Sequence, residues 1–254
     1  MIDKFKEVAI RASKQAGEIL KLGFNNVQYI KNKNKHDIVS NVDYESESEI
    51  KRIIKEYFPE QNILAEESAN ENRNSEFSWY IDPLDGTSNF VTGNPYFSVS
   101  IALAQKNEVI WGVVYNSVLN ELYYAIKDRG AFLNDKKIKV SNIKDLSNAF
   151  IASAYSSRED DIKKGLKVIE KFALRARRVL INFSPALDLC NIARGHLEAI
   201  VDNGTTPEDH AAGSLVVKEA GGMIQNYNSL SWNVNRTGIV ASNGKLHDQI
   251  KKLL

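Results

Sequence analysis

The chain has 254 residues, 43% of them apolar and 26% charged, and its 33 basic and 32 acidic side chains leave a net charge of +1. That length fills one large domain or two closely packed halves, and a charge so near zero does not favour nucleic acid or an anionic membrane as partner. A single cysteine, Cys190, forbids an internal disulfide and argues against a thiolate zinc site.

In chain order, Phe5, Val8, Ala9, Ala12, Ala16, Ile19 and Leu20 recur at helical spacing, with Asp3 as N-cap and Gly23 as the stop. The first residues lack the apolar core of a signal peptide and no apolar run approaches a membrane span, so the cytoplasm is the expected compartment. The lysine- and asparagine-rich stretch Lys31–His36 reads as a solvated loop. Ser40-Asn41-Val42-Asp43 is a capping-box pattern that opens a helix running to Phe58 and burying Ile50, Ile53, Ile54 and Tyr57. Ile63-Leu64-Ala65 is a short strand ending in Glu66-Glu67, and a polar loop leads on to a strand over Trp79–Asp82, halted by Pro83. Gly86 then permits a tight bend that exposes the hydroxyls and amides of Thr87 and Ser88.

Four β runs follow, Phe97–Leu103, Val109–Tyr115, Leu122–Lys127 and Phe132–Val140, with turns so short that neighbours must be antiparallel. Beyond about residue 147 strands and helices alternate. Phe150–Ala154 and Arg178–Ile181 are strands around a helix over Glu159–Leu174, and Ser184-Pro185 opens a helix that contains Cys190 as a core residue and closes at Gly195. A strand over Leu197–Val201 ends in Asp202. Thr206-Pro207-Glu208-Asp209 caps the next helix, which stops at Gly221-Gly222. Strands from Met223 and over Ile239–Ala241 precede a final helix to Leu254. The expected fold is α+β: residues 1–147 with an antiparallel sheet and most of the acids, then an α/β half over 148–254, both in one compact unit.

Acids stand at equivalent places. Glu66, Asp82 and Asp85 lie at strand ends, and Asp43 and Asp209 lie in the first turns of helices. If they converge, each pair about 4 Å apart repels by ~4 kcal/mol at an effective dielectric near 20. Several such pairs consume the roughly 5–15 kcal/mol that keeps a domain folded. A cluster of this kind needs cations, and oxygen-only donors select Mg²⁺ or Mn²⁺ over zinc. The bland alternative at each position is a cap or an Asp-Gly turn. His36, His196, His210 and His247 show no metal-ligand spacing and read as structural.

Asp82-Pro-Leu-Asp85-Gly-Thr87-Ser-Asn-Phe90 resembles the signature of the inositol monophosphatase family, the magnesium-dependent, lithium-sensitive phosphatases. Asp37-Ile-Val-Ser-Asn-Val-Asp43, Glu66-Glu67-Ser68, and Asp209-His-Ala-Ala-Gly213 with Glu219-Ala-Gly-Gly222 are similar to the family's other landmarks in order and spacing. The resemblance implies a layered αβαβα fold of the sugar-phosphatase type. It implies a first Mg²⁺ on Glu66, Asp82 and the Leu84 carbonyl, and a second on Asp82, Asp85 and Asp209. Asp43 and Thr87 would orient and deprotonate the attacking water, with Glu66 assisting a third ion. Asp85, Gly86, Thr87 and Ser88 would meet the phosphate, and Phe183, Ser184 and Asp202 the rest of the substrate. It further implies inhibition by Li⁺ or Ca²⁺, a small phosphorylated metabolite as substrate and a homodimer.

Two other phosphate-handling readings fit less well. In a haloacid-dehalogenase-like phosphatase the nucleophile falls at Pro83, which cannot attack. A nucleotide-sugar glycosyltransferase leaves Glu66 and Asp209 without work. A non-catalytic, metal-binding interaction protein is the reading from another class, and every acid needed for turnover is present against it. Departures from the family pattern lie on the substrate side: Glu208 where a tryptophan is usual, Phe183-Ser184-Pro185 where Gly-Ser/Thr-Ala is usual, and Asp202 where inositol binders carry a glutamate. Ser156 falls where a substrate contact is possible but reads as a turn serine. Myo-inositol 1-phosphate is the first expectation, with NADP 2′-phosphate, a 3′-phosphoadenosine nucleotide and fructose 1,6-bisphosphate as alternatives.

Overall fold

The structure, a computed structural model, describes residues 2–155 and 157–254, so Ser156 lies outside the described residues. Helix α1 (Ile2–Gly23) leads into a hairpin of β1 (Ile30–Asn34) and β2 (Asp37–Ser40), and then into helix α2 (Asn41–Tyr57). Strands β3 (Asn62–Ala65) and β4 (Phe77–Asp85) follow, then the short helix α3 (Thr87–Val91). The chain continues as β5 (Ser98–Gln105), β6 (Glu108–Asn116), β7 (Glu121–Ile126), β8 (Gly130–Leu133) and β9 (Lys136–Lys137). A turn of 3₁₀ helix at Leu146–Asn148 precedes β10 (Phe150–Ala154), α4 (Glu159–Ala173), β11 (Arg178–Leu180) and α5 (Pro185–Ala193). The last elements are β12 (Ala199–Asp202), α6 (Pro207–Glu219), β13 (Met223–Asn226), β14 (Ile239–Ser242) and α7 (His247–Lys251).

These elements stack in five layers. Strands β3 to β9 form one seven-stranded sheet in chain order, parallel between β3 and β4 and antiparallel thereafter. The other large sheet has the order β11-β10-β12-β14-β13. Side chains alternate across a strand with period 2, and the alternation explains the layering. Trp79, Ile81, Ile101 and Leu103 point to one face of the seven-stranded sheet, where α1 and α2 bury Phe5, Ala12, Leu20, Ile50 and Ile54 against them. Tyr80, Ala102, Ala104 and Val114 point to the other face, against Leu189 and Ile192 of α5 and Ala212 and Val216 of α6. The same two helices cover Ile200 and Ala241 of the second sheet. Ile151, Val201 and Val240 on its far face pack against Val168 and Phe172 of α4 and Ile250 of α7. This is the expected α+β, αβαβα architecture.

Four local expectations are corrected. Lys31–His36 is a hairpin arm, with Ile30 paired to Ser40 and Asn34 to Asp37. Every residue of β1 is exposed, so no apolar alternation marked it as a strand. Pro83 does not halt β4. The register shifts between Asp82 and Asp85, and pairing resumes at Asp85–Ser98, so the proline sits in a bulge where no N–H is required. The Phe132–Val140 run is broken at Asn134 and Asp135, whose positive φ angles of 46° and 63° make the two-residue hairpin turn between β8 and β9. The final helix is also shorter than expected and ends at Lys251.

Helix α6 lies unusually close to the large sheet because Gly112 in β6 has no side chain. A Cβ there would stand 2.9 Å from the Ala212 Cα and 3.0 Å from its carbonyl oxygen, and backbone cannot swing aside. Gly112→Ala is therefore expected to cost about 1–3 kcal/mol by overpacking. That corresponds to a fall in melting temperature of roughly 2–4 °C per kcal/mol for a chain of this size, measured by scanning calorimetry. Activity should fall with it, because α6 carries Asp209 into the site.

Candidate active site

The parallel pairing of β3 with β4 is what first gathers the acids. Ala65 pairs with Ile81, and the Glu66 N–H donates to the Ile81 carbonyl at 3.2 Å, so Glu66 leaves β3 beside Asp82. Below them, the buried Glu47 of α2 accepts the Glu67 N–H at 2.8 Å and the Ser68 hydroxyl, which anchors the strand end. Asp209 arrives from the opposite side in the first turn of α6, where it caps the helix by accepting the Thr206 N–H at 2.7 Å. One carboxylate oxygen each from Glu66, Asp82 and Asp209 then lie within 4.8 Å of one another. Burial, followed by the charge of Glu66, pushes the carboxyls of Asp82 and Asp209 well above the usual range. Three carboxylates with converging oxygens and no thiol or imidazole in the group suit a hard divalent ion.

Asp85 is held at the edge of this group. Its Oδ2 accepts from the Ser98 hydroxyl at 3.2 Å and from the Ser184 hydroxyl. Burial raises its carboxyl to about 7 although those bonds and the Ala186 amide pull the other way. Ser184 stands at the expected N-cap position of α5 but makes no side-chain cap bond; its side chain, expected at the substrate, is fully buried and donates to Asp85.

The bend after Asp85 falls on Gly86, whose φ of +91° is open to glycine. A Cβ here would also approach the Tyr96 carbonyl to 3.0 Å. The bend aims Thr87 at α2: its hydroxyl lies 3.0 Å from Asp43 Oδ1 and 3.1 Å from the Leu84 carbonyl, two acceptors for one proton. Asp43 is fixed in turn by the Ser40 N–H and hydroxyl, both on Oδ2, at 2.9 and 2.6 Å. The predicted capping box therefore exists, and its second carboxylate oxygen is left for Thr87.

These groups open into a cavity of about 620 Å³, within the range of small-ligand sites. Glu66, Asp82, Asp85 and Asp209 line one end, with Leu84, Gly86, Thr87 and Ser88 beside them. Asp202, Phe183, Tyr155 and Ile162 also line the cavity. Asp202 Oδ1 is engaged by the amides of Gly204 and Thr205 at 2.7 and 3.2 Å, and burial raises its carboxyl to about 6. Phe183 holds a φ of +50°, a left-handed conformation that costs a side-chain-bearing residue roughly 1–2 kcal/mol.

A model of the inositol monophosphatase family matches residues 1–254, the whole chain. The chain belongs to the inositol monophosphatase family. A fructose-1,6-bisphosphatase/inositol-1-monophosphatase of Aquifex aeolicus is 35% identical over 252 residues, covering 98% of this chain and 94% of that one. The Nus factor SuhB of Haemophilus influenzae is 34% identical over 254 residues, covering 97% and 93%. Among solved structures, an IMPase of Thermotoga maritima superposes with a TM-score of 0.89 at 34% identity, covering all of this chain and 96% of that one. As a member of the inositol monophosphatase family the chain is a phosphatase, a phosphoric monoester hydrolase.

Two residues at the inositol monophosphatase site carry no signal in the sequence. Lys33, on the misread hairpin, places its ammonium 2.7 Å from Glu66 and 2.6 Å from Glu67. Burial opposes its charge, but the two glutamates outweigh burial and raise its pKa, while burial followed by Glu66 lifts Glu67 to about 7. A lysine separated by 33 residues from its partner leaves no local signal. Tyr155 lines the cavity without belonging to any recognisable pattern, and Asp37, which opens the Asp37–Asp43 landmark, lines it at the start of β2. His210 is buried between the Thr205 hydroxyl and the Val234 carbonyl and His247 between Ser242 and Gln225, as structural histidines are, whereas His36, expected to be structural too, lines the cavity. Among the described residues no helix is long and apolar enough to cross a membrane.

Proposed function

We propose that this enzyme is a Mg²⁺-dependent phosphomonoesterase acting on a small phosphorylated metabolite by direct attack of water. The observation that carries the reading is the convergence of Glu66, Asp82 and Asp209 within 4.8 Å beside the Asp43–Thr87 pair. Glu66, Asp82 and the Leu84 carbonyl would hold one ion, and Asp82, Asp85 and Asp209 a second. Bound there, divalent ions lower the pKa of water and neutralise the leaving oxygen. Thr87 orients the water, and Asp43 takes the proton that Thr87 passes on. The Ser40 donors keep Asp43 in place for that task. Amides around Gly86, Thr87 and Ser88 receive the phosphate, and Phe183 and Asp202 border its alcohol group. Ser184 acts through Asp85, by fixing the orientation of that carboxylate.

Within this reading the two halves, 1–147 and 148–254, work as one unit, because Asp209 belongs to the second and the other acids to the first. A cytoplasmic homodimer remains our expectation. The family likeness makes myo-inositol 1-phosphate the first substrate to test, followed by fructose 1,6-bisphosphate, NADP and 3′-phosphoadenosine nucleotides. Phosphate release from this panel, ranked by kcat/KM with Mg²⁺ or Mn²⁺ and with added Li⁺ or Ca²⁺, decides it. We expect turnover with Mg²⁺, loss of turnover in chelator and inhibition by Li⁺. Release that is indifferent to chelator would overturn the assignment, and no release from any ester would favour the reading as a non-catalytic, metal-binding interaction protein.

A further inference from the structure

We propose that His210 positions the cation end of the site: its imidazole bridges the segment after β13 to the turn before α6, and the bridge fixes the rotation of α6 about its axis, hence the aim of Asp209. The inference rests on the metal-dependent phosphomonoesterase reading and adds to it a positioning residue that does not itself line the cavity.

Successive residues of an α-helix point about 100° apart, so His210 turns away from the cavity that Asp209 lines. The residue is fully buried, and each ring nitrogen has a partner at 3.1 Å, the Val234 carbonyl at Nε2 and the Thr205 hydroxyl at Nδ1. Those partners decide where the proton sits. A carbonyl can only accept, so Nε2 carries the hydrogen and donates it. In the neutral ring Nδ1 is then bare, and it accepts from the Thr205 hydroxyl. Trp232 closes one side of the imidazole with an edge contact, ring centroids 5.0 Å apart and planes at 67°.

Both ends of the bridge are anchored. Val234 belongs to the segment between β13 and β14, where Asn226 accepts the Asn233 N–H at 2.7 Å and Tyr80 donates its hydroxyl to Asn235 at 2.6 Å. Thr205 is engaged at three atoms. Its N–H donates to Asp202 Oδ1 at 3.2 Å, its carbonyl accepts the Gly238 N–H at 2.8 Å, and its hydroxyl meets His210. The next residue, Thr206, supplies the N–H that holds Asp209 Oδ2 at 2.7 Å. An apolar side chain at position 210 could fill the same space, but apolar contact has no direction. Two hydrogen bonds on different edges of one ring have direction, and a metal ligand must be held to within roughly 10–20° of its productive orientation.

The test measures Mn²⁺ binding by titration calorimetry, without substrate, in the natural protein and three variants. Thr205→Val keeps the shape and removes the hydroxyl, Thr205→Ser keeps the hydroxyl, and His210→Phe keeps a ring and removes both nitrogens. Amide hydrogen exchange at Thr206 and the ¹⁵N shifts of the His210 imidazole are recorded alongside. We expect the natural ring to be protonated at Nε2 alone. The Mn²⁺ dissociation constant should rise about tenfold in Thr205→Val and His210→Phe and by less than about threefold in Thr205→Ser, the scale of a lost outer contact at a metal site. The Thr206 amide should exchange faster in the first two variants. A ring protonated at Nδ1, or a Thr205→Val protein that binds Mn²⁺ as the natural one does, overturns the proposal, and Thr205→Val decides even where His210→Phe does not fold. If the natural protein binds no Mn²⁺ the metal reading falls, and exchange at Thr206 then judges the bridge: faster in Thr205→Val sustains it, unchanged overturns it.

Discussion

Asp82→Asn is expected to abolish phosphate release and yet to make the metal-free protein more stable. Asp82 is buried and lies with Glu66 and Asp209 inside a 4.8 Å sphere of oxygens. At an effective dielectric near 20, two charges at that separation repel by ~3–4 kcal/mol, an upper figure because buried acids relieve repulsion by taking up protons. A gain of about 1–2 kcal/mol in chelator is therefore expected for the amide, a rise of roughly 2–8 °C in melting temperature. The natural enzyme should overtake it once Mg²⁺ is added. An ion present at a hundred times its dissociation constant stabilises by about 2.7 kcal/mol, and the variant should forgo most of that. Activity should drop by at least about a thousandfold, as expected when catalytic charge stabilisation is lost. Calorimetry in chelator and in Mg²⁺ checks the crossing. A variant less stable than the natural protein under both conditions would mean that Asp82 serves the fold through its bond to the Leu84 amide, 2.9 Å away, more than it serves a cation.

Thr87→Ala is expected to lower kcat by about 10²–10⁴-fold with KM changed by less than about threefold, the pattern of a lost proton-transfer partner. The Thr87 hydroxyl is the link between Asp43 and the cavity, 3.0 Å from the carboxylate. Thr87→Ser should retain most of the rate, because the hydroxyl survives. Thermal stability should move little, since Thr87 lies at the start of a five-residue helix and its methyl is not part of the apolar core. An alanine variant within tenfold of the natural kcat would remove Thr87 and Asp43 from the proton path.

The contrast between what sequence and structure disclose follows the range of the interactions. Capping boxes at Ser40–Asp43 and Thr206–Asp209 are read from four consecutive residues, so the acids of α2 and α6 could be placed before any coordinates. The strands of the large sheet were legible because their apolar residues are buried and their turns are short. The β1–β2 hairpin was not, because it is exposed on β1 and held by backbone pairing, to which side-chain periodicity is blind. Lys33 was lost with it. Pro83 misled because a bulge excuses the missing N–H, and a bulge has no local signature apart from the proline itself. Ser184 shows the same limit. Ser-Pro before a helix reads as a cap, yet its hydroxyl belongs to Asp85, 99 positions away. Tyr155 and Phe183 lie on different strand ends, and nothing local joins them.

The account depends on a cation-filled acid pocket, and the most direct measurement is the anomalous difference density of crystals soaked in Mn²⁺. The result expected is a strong peak bridged by Glu66, Asp82 and Asp209, with a second on the Asp85 side. Crystals that hold Mn²⁺ elsewhere on the surface but show no peak among these three carboxylates would contradict it.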